Sequence, residues 1–177
     1  IDADTVLLTF GWVEPKKRYE DVVRALPDLD EVSYLIAGEP RYDSDKQVLE
    51  NVFALANRLG VRDRVHHVGY VADEDLPALF GATDLTVVPY EQVTQSGAAN
   101  TALAYHCPVL ATALPAFEEL AADYECVRTY DCPGDIAAAV RAATTADARE
   151  RIRASAKRYV DQETWTKFVD ETAALYE

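Results

Sequence analysis

The chain has no methionine, and among its 177 residues there are only three cysteines, seven glycines and five lysines. Without Met, Ile1 is no natural start, so the expectation is a piece excised from a longer protein. The cysteines, at 107, 126 and 132, are odd in number and lack metal-ligand spacing. That excludes a disulfide framework and points to a reducing, cytoplasmic setting. The longest run without a formal charge, Gln92 to Phe117, contains Gly97, Pro108, Pro115 and several hydroxyl and amide side chains, so it is no membrane span. A basic surplus is missing too. Lys and Arg total 17 against 31 Asp and Glu, for a net charge of −14. This balance excludes a general nucleic-acid binder and a protein held by charge to anionic lipid. With 12 Arg to 5 Lys, the surplus of acid fits adaptation to high salt, or else an ordinary acidic intracellular protein. The three-glycine phosphate fingerprint and the Gly-x-Ser-x-Gly nucleophile elbow are both absent. His66 and His67 are expected to face the core and a helix, and no third ligand is spaced to complete a metal site.

What is present is an alternation. Thr5–Phe10 (TVLLTF) does not alternate polar with apolar and reads as a strand buried on both faces, Val32–Ala37 (VSYLIA) as a second buried strand, and Val65–Val68, Leu85–Val88, Val109–Ala111 and Cys126–Thr129 as four further strands. Helical patterns separate them: Tyr19–Leu26, a long one from an N-cap at Ser44 to Leu59, Asp73–Phe80, Gly97–His106 and Phe117–Ala122. From Asp135 onward the pattern is helical, with breaks near Thr144–Asp147 and Asp161. Six such units predict one α/β domain with a doubly wound, parallel six-stranded sheet flanked by helices, whose ligand sits beyond the carboxyl ends of the strands. The late stretch Asp147–Arg158, with five cations and two acids, reads as a solvated helix face.

Three loops lie at that end. Gly11-Trp-Val-Glu-Pro-Lys-Lys-Arg18 carries three consecutive cations against one Glu, which suits a bound phosphate or a solvated charge cluster. Thr94-Gln-Ser-Gly97 opens a helix of small residues, where unpaired N–H groups attract an anion, or where Thr94 or Ser96 simply caps the helix. Val68-Gly-Tyr-Val71 offers a main-chain edge and an aromatic ring to a flat base, or is a plain turn.

Taken in order, these pieces resemble the carboxy-terminal, donor-binding domain of a GT-B glycosyltransferase, close to glycosyltransferase family 4, over nearly the whole chain. The family's Gly-Arg-Leu-x-x-x-Lys-Gly loop is similar to Gly11-Trp12-Val13-x-x-x-Lys17-Arg18, and its Ile-x-Gly strand end to Ile36-Ala-Gly38. Val65-His-His-Val-Gly69 with the acidic helix start at Asp73, Thr83-Asp84-Leu-Thr-Val-Val-Pro89, and Thr101-Ala-Leu-Ala-Tyr-His-Cys-Pro108-Val109 match three further family stretches. Trp165 and Leu175-Tyr176 resemble its closing helix.

The resemblance implies a retaining transferase of hexosyl type that takes a sugar from a nucleoside-diphosphate sugar. It implies no other cofactor and no metal. An amino-terminal domain of the same chain would bind the acceptor and provide any peripheral membrane contact, and this part alone would be inactive. Gly11, Lys17, Arg18, Ser96 and Gly97 would hold the diphosphate, Tyr70, Val71 and Thr101 the nucleoside, and Thr94, Gln95 and Glu91 the sugar. No single side chain is assigned the catalytic step. Two departures stand out: the loop Arg of the family is Trp12, and its Glu-x7-Glu pair aligns with Val93 and Thr101. Thr101 can replace only part of a charged hydrogen bond and Val93 none of it, so a non-catalytic relative that kept the fold is the rival expectation.

Overall fold

The computed structural model describes residues 3–93, 95–163, 167, 169, 173 and 174. Thr94, Trp165, Leu175 and Tyr176, all named above, lie outside the described residues. Strands β1 (Thr5–Phe10), β2 (Val32–Ala37), β3 (Val65–Gly69), β4 (Leu85–Val88), β5 (Val109–Thr112) and β6 (Val127–Tyr130) alternate with helices α1 (Tyr19–Ala25), α2 (Lys46–Arg58), α3 (Leu76–Gly81), α4 (Gly97–Ala104), α5 (Pro115–Asp123) and α6 (Ile136–Ala143). Helix α7 (Ala146–Gln162) follows. The strands form one sheet in the order β3-β2-β1-β4-β5-β6, every neighbouring pair parallel. The expected doubly wound α/β architecture is therefore the observed one. Leu7, Leu8, Tyr34, Ile36, Val87 and Leu110 are wholly buried, as continuous apolar strands between two helical layers must be.

Boundaries moved where local hydrogen bonding outweighed the hydrophobic pattern. Ser44 is not an N-cap but the middle of a short 3-10 turn, Asp43–Asp45, because Asp45 Oδ2 accepts the N–H of Tyr42 at 3.2 Å and tightens the entry into α2. The acidic start at Asp73 is likewise a 3-10 turn ahead of α3. Cys126 drops out of β6, its N–H donating instead to Ser155 Oγ at 3.2 Å. His66 and His67 are both half-buried.

The strand order reverses between β1 and β4, the switch point of such a sheet. Their main-chain ladder covers only Leu7↔Leu85 and Leu8↔Thr86. Beyond it the Thr9 hydroxyl donates to the Val87 carbonyl at 2.8 Å and accepts from Tyr34 Oη at 2.8 Å, so a side chain takes over where the strands part. The opposite end of the same strands is clamped. Asp84 accepts the N–H of Val6 at 2.9 Å and Nη1 of Arg149 at 2.6 Å, while Nη2 of Arg149 donates to Thr5 Oγ1 at 2.8 Å. The first turns of α7 are thus tied to the amino end of the sheet, leaving the carboxyl end open.

Candidate functional site

The open end is shaped by two glycines that cross. Gly11 leaves β1 with φ +92°, and Gly38 leaves β2 with φ +136°. A Cβ on Gly38 would stand 2.3 Å from the Gly11 carbonyl oxygen, so no side chain fits there. The crossing is fixed by Gly11 N–H to Ala37 O at 2.9 Å, Gly38 N–H to Gly69 O at 2.7 Å, and His67 Nε2, 2.7 Å from Gly38 O. A carbonyl only accepts, so the His67 ring donates from Nε2.

Lys17 ends a 3-10 turn, Pro15–Lys17, and is only 4% exposed. Its ammonium donates to Phe10 O at 2.7 Å and sits 5.7 Å from the centre of the Tyr90 ring. Burial pushes it down to about 8; Glu14 pulls it back up and Lys16 adds to the depression. Glu14 itself is lifted by burial, but its contacts with Lys16 and Arg41, at 3.1 and 3.2 Å, outweigh this and leave it below the ordinary carboxylate range. Across from Lys17, α4 begins at Gly97. The buried Ser96 caps it, its Oγ accepting the N–H of Ala99 at 3.1 Å. Burial pushes the Tyr90 hydroxyl up to about 12, with Ser96 drawing it partly back. Nothing lies within 4 Å of the position a Cβ on Gly97 would take.

Between these groups is a hollow of about 220 Å³ lined by Gly11, Trp12, Glu14, Lys16, Lys17, Tyr90 and Gln95–Ala98. On one side Gly11 and Trp12 lead into a second hollow of about 270 Å³, whose walls include Phe10, Glu39, Tyr70, Val71 and Asp73. On the other side Lys16, Tyr90 and Gln95 lead into a third of about 330 Å³ with Gln92 and Val93. Each flanking hollow shares lining residues with the middle one, and all three lie near the switch point. Chemically, the walls of the middle hollow hold a buried lysine, a second lysine and a glutamate together with a helix start, and the last can receive an anion. One flank offers exposed aromatic faces, Trp12 57% and Tyr70 73% exposed. The other offers amides.

The structure thus brings Gly11, Lys17, Ser96 and Gly97 to one hollow, puts Tyr70 and Val71 on one flank of it and Gln95 on the other. Three residues expected with them, Arg18, Glu91 and Thr101, line none of these three hollows. Arg18 turns away because its main chain is left-handed (φ 44°, ψ 45°) and Asp21 accepts its Nε at 2.7 Å. It lines a smaller, neighbouring hollow with Asp21, Tyr90, Thr112 and Tyr130. Glu91 lines that same hollow, held there by its N–H to Lys16 O at 3.0 Å. Thr101 lies one turn into α4 with its hydroxyl donating to Gly97 O at 2.8 Å. Trp12, Glu39, Tyr90 and Asp73 were not among the expected site residues. Trp12 and Tyr90 had a signal, since each is an aromatic residue within two positions of a strand's carboxyl end. Among the described residues no group of three or more His, Cys, Asp or Glu side chains could hold a metal ion. Likewise, no helix is long and apolar enough to cross a membrane.

Comparison with known proteins fits this geometry. A D-inositol 3-phosphate glycosyltransferase of Mycobacterium sp. (strain KMS) is 33% identical over 111 residues, 63% of this chain and 25% of that protein. The chain thus spans about a quarter of the length of the curated relatives it matches. The C-terminal domain of a group 1 glycosyl transferase from Francisella tularensis superposes with a TM-score of 0.79 at 19% identity, covering 92% of this chain and 87% of that one. Anabaena HepE in complex with UDP and glucose superposes with a TM-score of 0.81 at 19% identity, over 97% of this chain and 47% of that one. At such identities the two superpositions establish the fold alone. The model of the family "Glycosyl transferases group 1" matches residues 4–146, and the chain belongs to that family.

Proposed function

We propose that the chain is the donor-binding part of a retaining glycosyltransferase, cytoplasmic and of hexosyl type. The carrying observation is that three hollows adjoin through shared lining residues: an aromatic flank, a cationic middle and an amide-lined flank, in the order of nucleoside, diphosphate and sugar in a nucleoside-diphosphate sugar. The ligands named for the HepE structures, UDP and UDP-glucose, support the same chemistry. Lys17 and the N–H groups at Ser96–Gly97 take the diphosphate, Tyr70 and Val71 the base, Thr101 the ribose side, and Gln95 with Thr94 the sugar. Arg18 and Glu91 have no part in this reading. Charge accumulates on the departing diphosphate as the glycosidic bond breaks. A pre-positioned ammonium and helix start favour that state over the ground state without reorganisation. They supply the positive charge that a metal would otherwise bring. The acceptor comes from another domain of the full-length protein, without which this part transfers nothing.

Calorimetry in molar salt with UDP, GDP and their sugars tests the proposal. Binding of at least one is expected, and silence from all of them overturns it. The second reading, a non-catalytic scaffold, is favoured by one observation: the described residues of the sugar flank include no carboxylate. Transfer by the full-length protein that Lys17→Ala abolishes would dispose of it.

A further inference from the structure

The base flank carries charge of one sign. Glu39 and Asp73 line it, and among its described residues there is no Lys, Arg, His, Asn or Gln. Glu39 is exposed and makes one main-chain and one side-chain contact here. Its main-chain carbonyl accepts the N–H of Val13 at 2.8 Å, and its Oε1 accepts the N–H of Tyr70 at 3.3 Å. The carboxylate lies so close over the Gly69–Tyr70 peptide that a Cβ on Gly69 would come within 2.8 Å of it. A carboxylate therefore stands beside the main-chain edge of Tyr70 and Val71, the surface against which a base would be read.

Resting on the donor reading above, we propose that this flank selects guanine, so that the donor class is a guanosine-diphosphate sugar. Stacking on Trp12 and Tyr70 is open to every base, since each has a flat face. A main-chain N–H and C=O pair is equally permissive, because guanine, adenine, uracil and cytosine all present a donor next to an acceptor. The third group on that edge differs: an amino donor in guanine, a C–H in adenine, a carbonyl acceptor in uracil and cytosine. A carboxylate there attracts the first through a charge-assisted hydrogen bond, is indifferent to the second, and repels the third.

Inosine diphosphate isolates the effect, since it differs from GDP only by lacking the 2-amino group. Calorimetric titration of the chain with GDP, IDP, ADP and UDP at one salt concentration is expected to show GDP about tenfold tighter than IDP and UDP. Glu39→Gln keeps the size and the acceptor for Tyr70 N–H, and is expected to bring GDP and UDP within about threefold of each other. UDP bound as tightly as GDP, or GDP and IDP bound alike, overturns guanine selection and leaves the donor reading standing. Failure of all four nucleotides to bind overturns both.

Discussion

Lys17 is a charged group in a place that disfavours charge. Its ammonium is buried, with one main-chain carbonyl as hydrogen-bond partner and an aromatic ring nearby, and desolvation brings it down to about 8. A diphosphate arriving at Ser96–Gly97 would supply the counter-charge that the protein withholds, so the bound state holds the proton more tightly than the free state. Only the protonated form attracts the anion. Raising the pH through about 8 therefore removes the attraction, and binding of a nucleoside diphosphate is expected to weaken by up to about tenfold per pH unit between pH 8 and 9.5. Titrations in buffers of different ionisation enthalpy should show proton uptake on binding in that window. A flat profile with no proton uptake would remove Lys17 from the site.

At the scale of elements, two glycines of the adjoining hollows are under opposite constraints. Gly38 must be glycine because its conformation and the Gly11 carbonyl leave no room for a Cβ. Gly38→Ala is expected to destabilise the fold by at least about 2 kcal/mol in chemical denaturation. Gly97 has empty space in front of it and sits in the first turn of α4, where Ala is a better helix former. Gly97→Ala is expected to fold as well as the parent and to bind a nucleoside diphosphate about tenfold more weakly, because the methyl stands over the N–H groups that would meet it. Equal affinity would argue that the ligand approaches from elsewhere. The contrast bears on what the chain's text makes legible. The four inner strands could be read because residues buried on both faces leave an apolar run, and their order placed the loops of Lys17 and Gly97 at one end of adjacent strands. The Gly11–Gly38 crossing joins loops far apart in sequence through main-chain atoms, which no side-chain pattern announces. Glu39 was missed for that reason, since its position follows from the crossing. Arg18 turns toward the neighbouring hollow for a local reason that the sequence carries: Asp21 follows it at i+3 and accepts its Nε.

For the molecule as a whole, the sheet divides labour between its two ends. The amino end is closed by the Asp84–Arg149 network, and the carboxyl end gathers a cationic spot in a protein of net charge −14. An approaching nucleoside diphosphate meets two fields of opposite sign and different range. Repulsion from the surplus carboxylates acts over tens of ångströms at low salt, whereas the pull of Lys17 and the helix start acts over the last few. Salt separates them, because the screening length falls from about 10 Å at 0.1 M to about 3 Å at 1 M and so removes the long-range repulsion first. The association rate of a nucleoside diphosphate, followed by stopped-flow quenching of Trp12 fluorescence, is therefore expected to rise severalfold between about 0.05 and 0.5 M KCl. A basic anion site on a neutral protein would show the reverse. A rate that falls steadily with salt would mean that the cationic spot governs the approach from a distance, and that the acidic surface does not oppose the ligand.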